Sequence, residues 1–312
     1  MRSAFIGALV HIARQDPRVV LLTGDLGFTV IEPFRDEFPD RFYNAGVAEQ
    51  NMVGTATGLA EAGFIPFVYS IVTFASLRAY EFVRNGPIAH RLRVRIIGVG
   101  GGFDYGTAGF THYGLEDLGI MRMQPGITVV APADHRQAVA ALNSTYELDG
   151  PVYYRIGKDE SRMVEGLDGR FELGRADLVL EGEDVLLITI GSIACEVAEA
   201  AGRLSAHGVR CSVLVVSSFN PFPVADLREA LSRFSTAITI EAHYAAGGLG
   251  TAVAEVIADH GIACRLVRRG VNETPLGVTG SSGYMSEIHG LASEALADTV
   301  LRTIEELSIT NG

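Results

Sequence analysis

The stretch Asn44-Ala-Gly-Val-Ala-Glu-Gln-Asn-Met-Val-Gly-Thr-Ala-Thr-Gly58, with the short apolar run Ile65-Pro-Phe-Val-Tyr69 soon after it, sets the reading of the whole chain. Small residues recur at helical spacing over 48–62, and the run at 65–69 reads as a strand. A helix feeding a strand is half of a βα unit, and the alternation continues outward on both sides. Candidate strands at 19–23, 65–69, 94–99, 128–130 and 152–155 alternate with candidate helices at 3–14, 48–62, 74–89 and 133–147. Such alternation implies a parallel sheet covered on both faces. A second series places strands at 185–190, 211–216, 237–240 and 265–267, with helices at 194–206, 225–233, 249–259 and 291–306. Between the two series the sequence turns charged and glycine-containing. The expectation is an α/β fold of two three-layer α/β/α domains, 1–165 and 184–312, joined by a linker at 166–183.

Glu49 stands alone among small and apolar residues, so it does not read as one of many solvated charges. If its helix is covered on most sides, the carboxylate loses water and its pKa rises. It can then hold or pass a proton near neutral pH. Gly54 and Gly58 would let another backbone come close. The other reading is a first-turn glutamate that faces solvent and is favoured by the helix dipole.

Composition narrows the function classes. The 312 residues, 48% of them hydrophobic, suffice for the cores of two domains. A net charge of −12 without a basic cluster argues against nucleic acid or an anionic membrane as partner. The apolar run at 4–13 is interrupted by His11 and followed by Arg14. It is too short to span a bilayer, lacks a cleavage pattern and reads as an amphipathic first helix. Cys195, Cys211 and Cys264 are an odd number at wide spacing, which suggests neither a disulfide framework nor a zinc site and fits a reduced, cytoplasmic protein. Lys158 is the only lysine, so Schiff-base chemistry would rest on one residue with no apolar setting to lower its pKa. Neither G-x-G-x-x-G, G-x-x-x-x-G-K-[ST] nor G-x-S-x-G occurs, which leaves nucleotide binding and a nucleophile elbow without support. Ala246-Gly-Gly-Leu-Gly250, after Thr239-Ile-Glu241, reads as a helix start that packs without a cofactor.

Gly24-Asp25-Leu26-Gly27 follows the first strand, and ligands of open α/β sheets bind beyond the carboxyl ends of strands. Asp25 as a plain turn former is the alternative. Phe74, Leu77 and Tyr80 fall at i, i+3 and i+6 and form one helix stripe, which ordinary core would also explain. His112 ends a loop with four glycines before Thr107, and histidine is the natural proton shuttle near pH 7. Arg2 reads as a charge on the first helix and Arg155 as a strand-end ion pair.

The wording Gly46-Val-Ala-Glu-Gln-Asn-Met-Val-Gly54 closely resembles the pyrimidine-domain motif of the transketolase family of thiamine diphosphate enzymes. The resemblance continues through Tyr69-Ser-Ile-Val-Thr-Phe74, Arg78-Ala-Tyr80 and Thr111-His112. It becomes diffuse in the second half, which looks like the family's C-terminal domain. It implies that Glu49 bonds N1′ of the cofactor's aminopyrimidine and drives it to the imino tautomer. It also implies that Asp25 and Leu26 lie against the cofactor, that Phe74, Leu77 and Tyr80 pack on its ring, and that His112 is in the active site. Arg2 and Arg155 match positions that hold the substrate phosphate, a task that suits the guanidinium fork.

The family binds magnesium and diphosphate through Gly-Asp-Gly and a later Asn. Here Leu26 replaces the second Gly, and Asn51 lies on the Glu49 helix, so that oxygen-ligand site is missing. The resemblance therefore implies the C-terminal (beta) subunit of a split transketolase, with Mg2+ ligands on a separate alpha subunit in an α2β2 heterotetramer. Its activity would be a transferase reaction that passes a two-carbon ketol unit from a ketose to an aldehyde. Ala108 stands where the family has an acidic donor contact, and Gly100 stands where many members have a histidine and leaves more room. Both departures put ordinary pentose-phosphate specificity in doubt. A 2-oxoacid dehydrogenase beta subunit is the nearest enzymatic alternative, and a non-catalytic scaffolding subunit is the alternative of another class.

Overall fold

Runs such as Val19-Val-Leu-Leu-Thr23 and Val185-Leu-Leu-Ile-Thr-Ile190 bury every residue, as strands with helices on both faces must. The structure, a computed structural model, describes residues 1–310. Its strands are β1 (Val19–Thr23), β2 (Phe42–Asn44), β3 (Ile65–Ile71), β4 (Arg95–Val99), β5 (Thr128–Val130), β6 (Val152–Ile156), β7 (Ala176–Leu180), β8 (Val185–Ile190), β9 (Cys211–Val216), β10 (Ser218–Asn220), β11 (Thr236–Tyr244) and β12 (Arg265–Val271). One sheet runs β10-β5-β6-β4-β3-β1-β2 and is parallel except for β10. The other runs β12-β11-β8-β9-β7 and is parallel except for β7. Helices cover both, giving the expected α/β architecture.

Two expectations need correction. The stretch expected to be a linker contains β7, an edge strand antiparallel to β9. Its residues are half-buried or exposed, so it lacks the continuous apolar run that marks strands such as β1 and β8. The helix expected over 74–89 is instead a π turn at Phe74–Arg78, an α turn at Tyr80–Val83 and a second π turn at Arg84–Ile88 containing Pro87. A π turn holds more residues than an α turn, so every side chain after it changes face.

The glycine face of the Glu49–Glu61 helix is open: a Cβ at Gly58 would meet nothing within 4 Å, and one at Gly54 only Phe82. Close approach occurs elsewhere on that helix, where a Cβ at Gly86 would press on Thr57. Arg155, 5% exposed, joins the domains. Its Nε donates to Asp117 at 3.0 Å, and its Nη2 donates to the carbonyls of Gly114 (2.7 Å) and Ala242 (2.8 Å).

Candidate active site

Segments leaving the carboxyl ends of β1, β3 and β4 meet at the N-terminus of the Glu49–Glu61 helix, the usual ligand position in such sheets. Glu49 is the first residue of that helix and is 0% exposed. The solvent-facing reading is thereby excluded. Ser70, on β3, donates its hydroxyl to Glu49 Oε1 at 3.0 Å. Arg78 Nη1 donates to Glu49 Oε2 at 2.7 Å. After β1, a Cβ at Gly24 would lie 3.1 Å from Oε1, so glycine is what leaves the carboxylate its space. Burial would be costly for a bare carboxylate, and these two donors offset that cost.

Phe74 and Arg78 bound the π turn, and the guanidinium lies 4.0 Å from the centre of the Phe74 ring. His112 meets the same ring edge-on at 5.1 Å, and its Nδ1 is 2.9 Å from Thr111 Oγ1. Burial, and then the positive charge of Arg78, push the imidazole below its ordinary pKa. At neutral pH it is therefore neutral and able to accept a proton.

The other expected residues fall as follows. Leu77 is 44% exposed and does not share Phe74's partner, because the π turn puts Arg78 there instead. Tyr80 turns to the core edge, where its hydroxyl donates to the Ile120 carbonyl at 2.8 Å and accepts from Gln124. The stripe read at α-helical spacing is therefore broken up. Asp25 takes a positive φ of 59° and accepts from Asn44 Nδ2 at 2.8 Å, while Leu26 packs half-buried beside the first-helix core. Arg2 is half-buried, 3.8 Å from Glu160. Arg155 does not fit a phosphate anchor, because its guanidinium is buried against Asp117 and two carbonyls. The room expected at Gly100 is filled: a Cβ there would run into the Tyr105 ring. Of the loop aromatics, Phe103 is buried and Phe110 exposed.

Sequence reading missed Arg78 and Ser70 as Glu49's partners. A signal was present, since Arg78 is the only charged residue between Glu61 and Glu81. A lone cation in an apolar stretch calls for a buried counter-charge as much as a lone glutamate does.

Residues 1–163 match the family described as transketolase, pyrimidine binding domain, and residues 174–295 match transketolase, C-terminal domain. The chain belongs to the transketolase family. It is 33% identical over 309 residues to a putative transketolase C-terminal section of Methanocaldococcus jannaschii, covering 98% of this chain and 96% of that protein. Identity is also 33%, over 98% of this chain and 97% of the relative, to one of the subunits of the apulose-4-phosphate transketolase of Phocaeicola vulgatus. A solved split gene transketolase, described as an inactive beta4 tetramer, superposes with a TM-score of 0.88 at 34% identity, covering 97% of this chain and 98% of that one.

Transketolase membership implies thiamine diphosphate, and the site fits one end of it. A buried carboxylate with one oxygen held by a partly exposed arginine, beside an aromatic face, matches an aminopyrimidine.

Proposed function

We propose that this chain is the beta subunit of a split, thiamine diphosphate-dependent transketolase-like enzyme that moves a two-carbon ketol unit from a phosphorylated ketose to an aldehyde. The observation that carries this is the buried Glu49 carboxylate, with Oε1 fixed by Ser70 and Oε2 held by the partly exposed Arg78, which lies with His112 against Phe74. In that position Glu49 can hold and return a proton at a ring nitrogen, Phe74 orients the ring, and neutral His112 takes a proton from a substrate hydroxyl. The cofactor, when bound, supplies the carbanion chemistry. Asp25 and Leu26 are assigned to its flank, and Arg2 to the substrate phosphate. The Mg2+ and diphosphate ligands are assigned to a separate alpha subunit in an α2β2 assembly, because Leu26 stands where the hard-cation motif needs glycine. Similarity to part of an apulose-4-phosphate transketolase supports a specialised phosphorylated donor, as does Ala108 in place of an acidic contact.

The test is to add thiamine diphosphate and Mg2+ to the purified chain with and without the product of the neighbouring gene. Turnover is expected only in the mixture, and robust magnesium-dependent turnover by the chain alone would overturn the proposal.

A further inference from the structure

One side chain fills both halves of the position that the proposed cofactor ring needs. Arg78 Nη1 takes Glu49 Oε2 at 2.7 Å, and its guanidinium covers the Phe74 ring at 4.0 Å. A guanidinium and an aminopyrimidine protonated at its ring nitrogen offer a carboxylate and an aromatic face the same things: an in-plane N–H and a flat π surface.

Two buried arginines of this domain are held very differently. Arg95, 0% exposed, donates to three backbone carbonyls, those of Tyr146, Gly150 and Leu148. Arg155 donates to two carbonyls and a buried aspartate. Arg78 is 39% exposed and bonds to site side chains, so it can leave without opening the core. Its departure would also remove the positive charge that, after burial, adds to the lowering of the His112 pKa.

We propose that Arg78 is a displaceable stand-in for the aminopyrimidine ring: it satisfies Glu49 and covers Phe74 in the free chain and is expelled when the ring arrives. The proposal rests on the assignment of Glu49 and Phe74 to the cofactor. Its chemical consequence is that binding exchanges the guanidinium N–H on Oε2 for a proton taken up from solvent and shared between Oε2 and the ring nitrogen, so the buried carboxylate is not left bare.

The test combines side-chain nitrogen NMR of arginine-labelled full chain with binding kinetics. Arg78→Gln assigns the Arg78 signals. In the free chain its guanidinium is expected to rotate slowly and give resolved Nη–H resonances, and Glu49→Gln should collapse them. Thiamine diphosphate with Mg2+, added to the chain together with its partner subunit, should collapse them too. Arg78→Gln should bind thiamine diphosphate about tenfold faster in stopped flow, because a larger fraction of sites is open. Unchanged Arg78 signals while calorimetry registers bound cofactor would overturn the stand-in but leave the functional reading intact. Weaker and slower binding by Arg78→Gln would also overturn it, since Arg78 would then be a holder of the ring. Absence of binding in both proteins would bring down the functional reading and this inference with it.

Discussion

Glu49 in the first domain and Glu241 in the second are both buried, and each carboxylate sits at the start of a helix. Glu241, on β11, accepts the backbone N–H groups of Leu249 (2.6 Å) and Gly250 (2.8 Å) at the head of the Leu249–His260 helix. Gly248 is required there, because a Cβ would run into the carboxylate. Burial pushes the Glu241 carboxyl above its ordinary pKa, with His243 and the two N–H bonds working against it. A helix start is a ready anion site, and here the protein's own side chain fills it. Glu49, by contrast, is held by a serine hydroxyl and a partly exposed arginine. The lesson is in the partners: a carboxylate bonded to backbone belongs to the fold, and one bonded to movable side chains is free to exchange them.

Glu49→Gln should lower turnover of the assembled enzyme at least about a thousandfold, roughly 4 kcal/mol of transition-state stabilisation. Thiazolium C2–H exchange, followed by NMR in deuterated water, should slow in parallel while the subunits still assemble. Normal exchange would return Glu49 to the ordinary helix residues.

Glu241→Ala should show the opposite profile. It strands two buried N–H donors and should cost about 2–4 kcal/mol of stability in urea unfolding. Turnover per folded molecule should stay within a few-fold of wild type, and a selective loss of turnover would erase the distinction between the two glutamates. Gly248→Ala probes the same region more gently. Overpacking against Glu241 should cost about 1–3 kcal/mol in the same assay, and no loss would mean that the helix start has slack.

The smallest expected effect concerns proton affinity at the active site. Arg78→Ala removes a cation beside His112, so protonation becomes easier and the imidazole pKa should rise toward its ordinary value. Burial remains, so it should stay below that value. An NMR titration of His112 checks the sign, and an unchanged or lower pKa would show that Arg78 does not act on it electrostatically.

What could be read in the sequence depended on how local the cause was. β1, β8 and β9 begin and end where their continuous apolar runs do, because a fully buried strand carries its own signal. The burial of Glu49 was legible for a related reason: a lone carboxylate among small and apolar residues marks a covered stretch of helix. The Phe74–Ile88 region was not, because a stripe at i, i+3 and i+6 presumes 3.6 residues per turn and two π turns change the count. The second of these turns packs against Thr57 through Gly86, a contact between distant segments. The resemblance gave Arg155 to a phosphate, whereas the plainer reading as a strand-end ion pair points to Asp117; its carbonyl partners lie 41 and 87 residues away, invisible to any local pattern. β7 and β10 escaped notice because a short edge strand is defined by its neighbour.

β10 also bears on how such genes can be cut and recombined. The strand belongs to the second half of the sequence yet closes the edge of the first sheet, pairing Ser218 with Val130. The Ala131 N–H donates to the Ser217 carbonyl, and the Asn220 amide reaches the Ile127 carbonyl. A fragment ending between the domains would expose β5 as a naked edge, an invitation to pair with other molecules. Recombination between relatives would inherit the same constraint. A transplanted second half must bring a 217–220 segment that fits the host's 127–131, so the apparent seam between the domains is a poor place to splice.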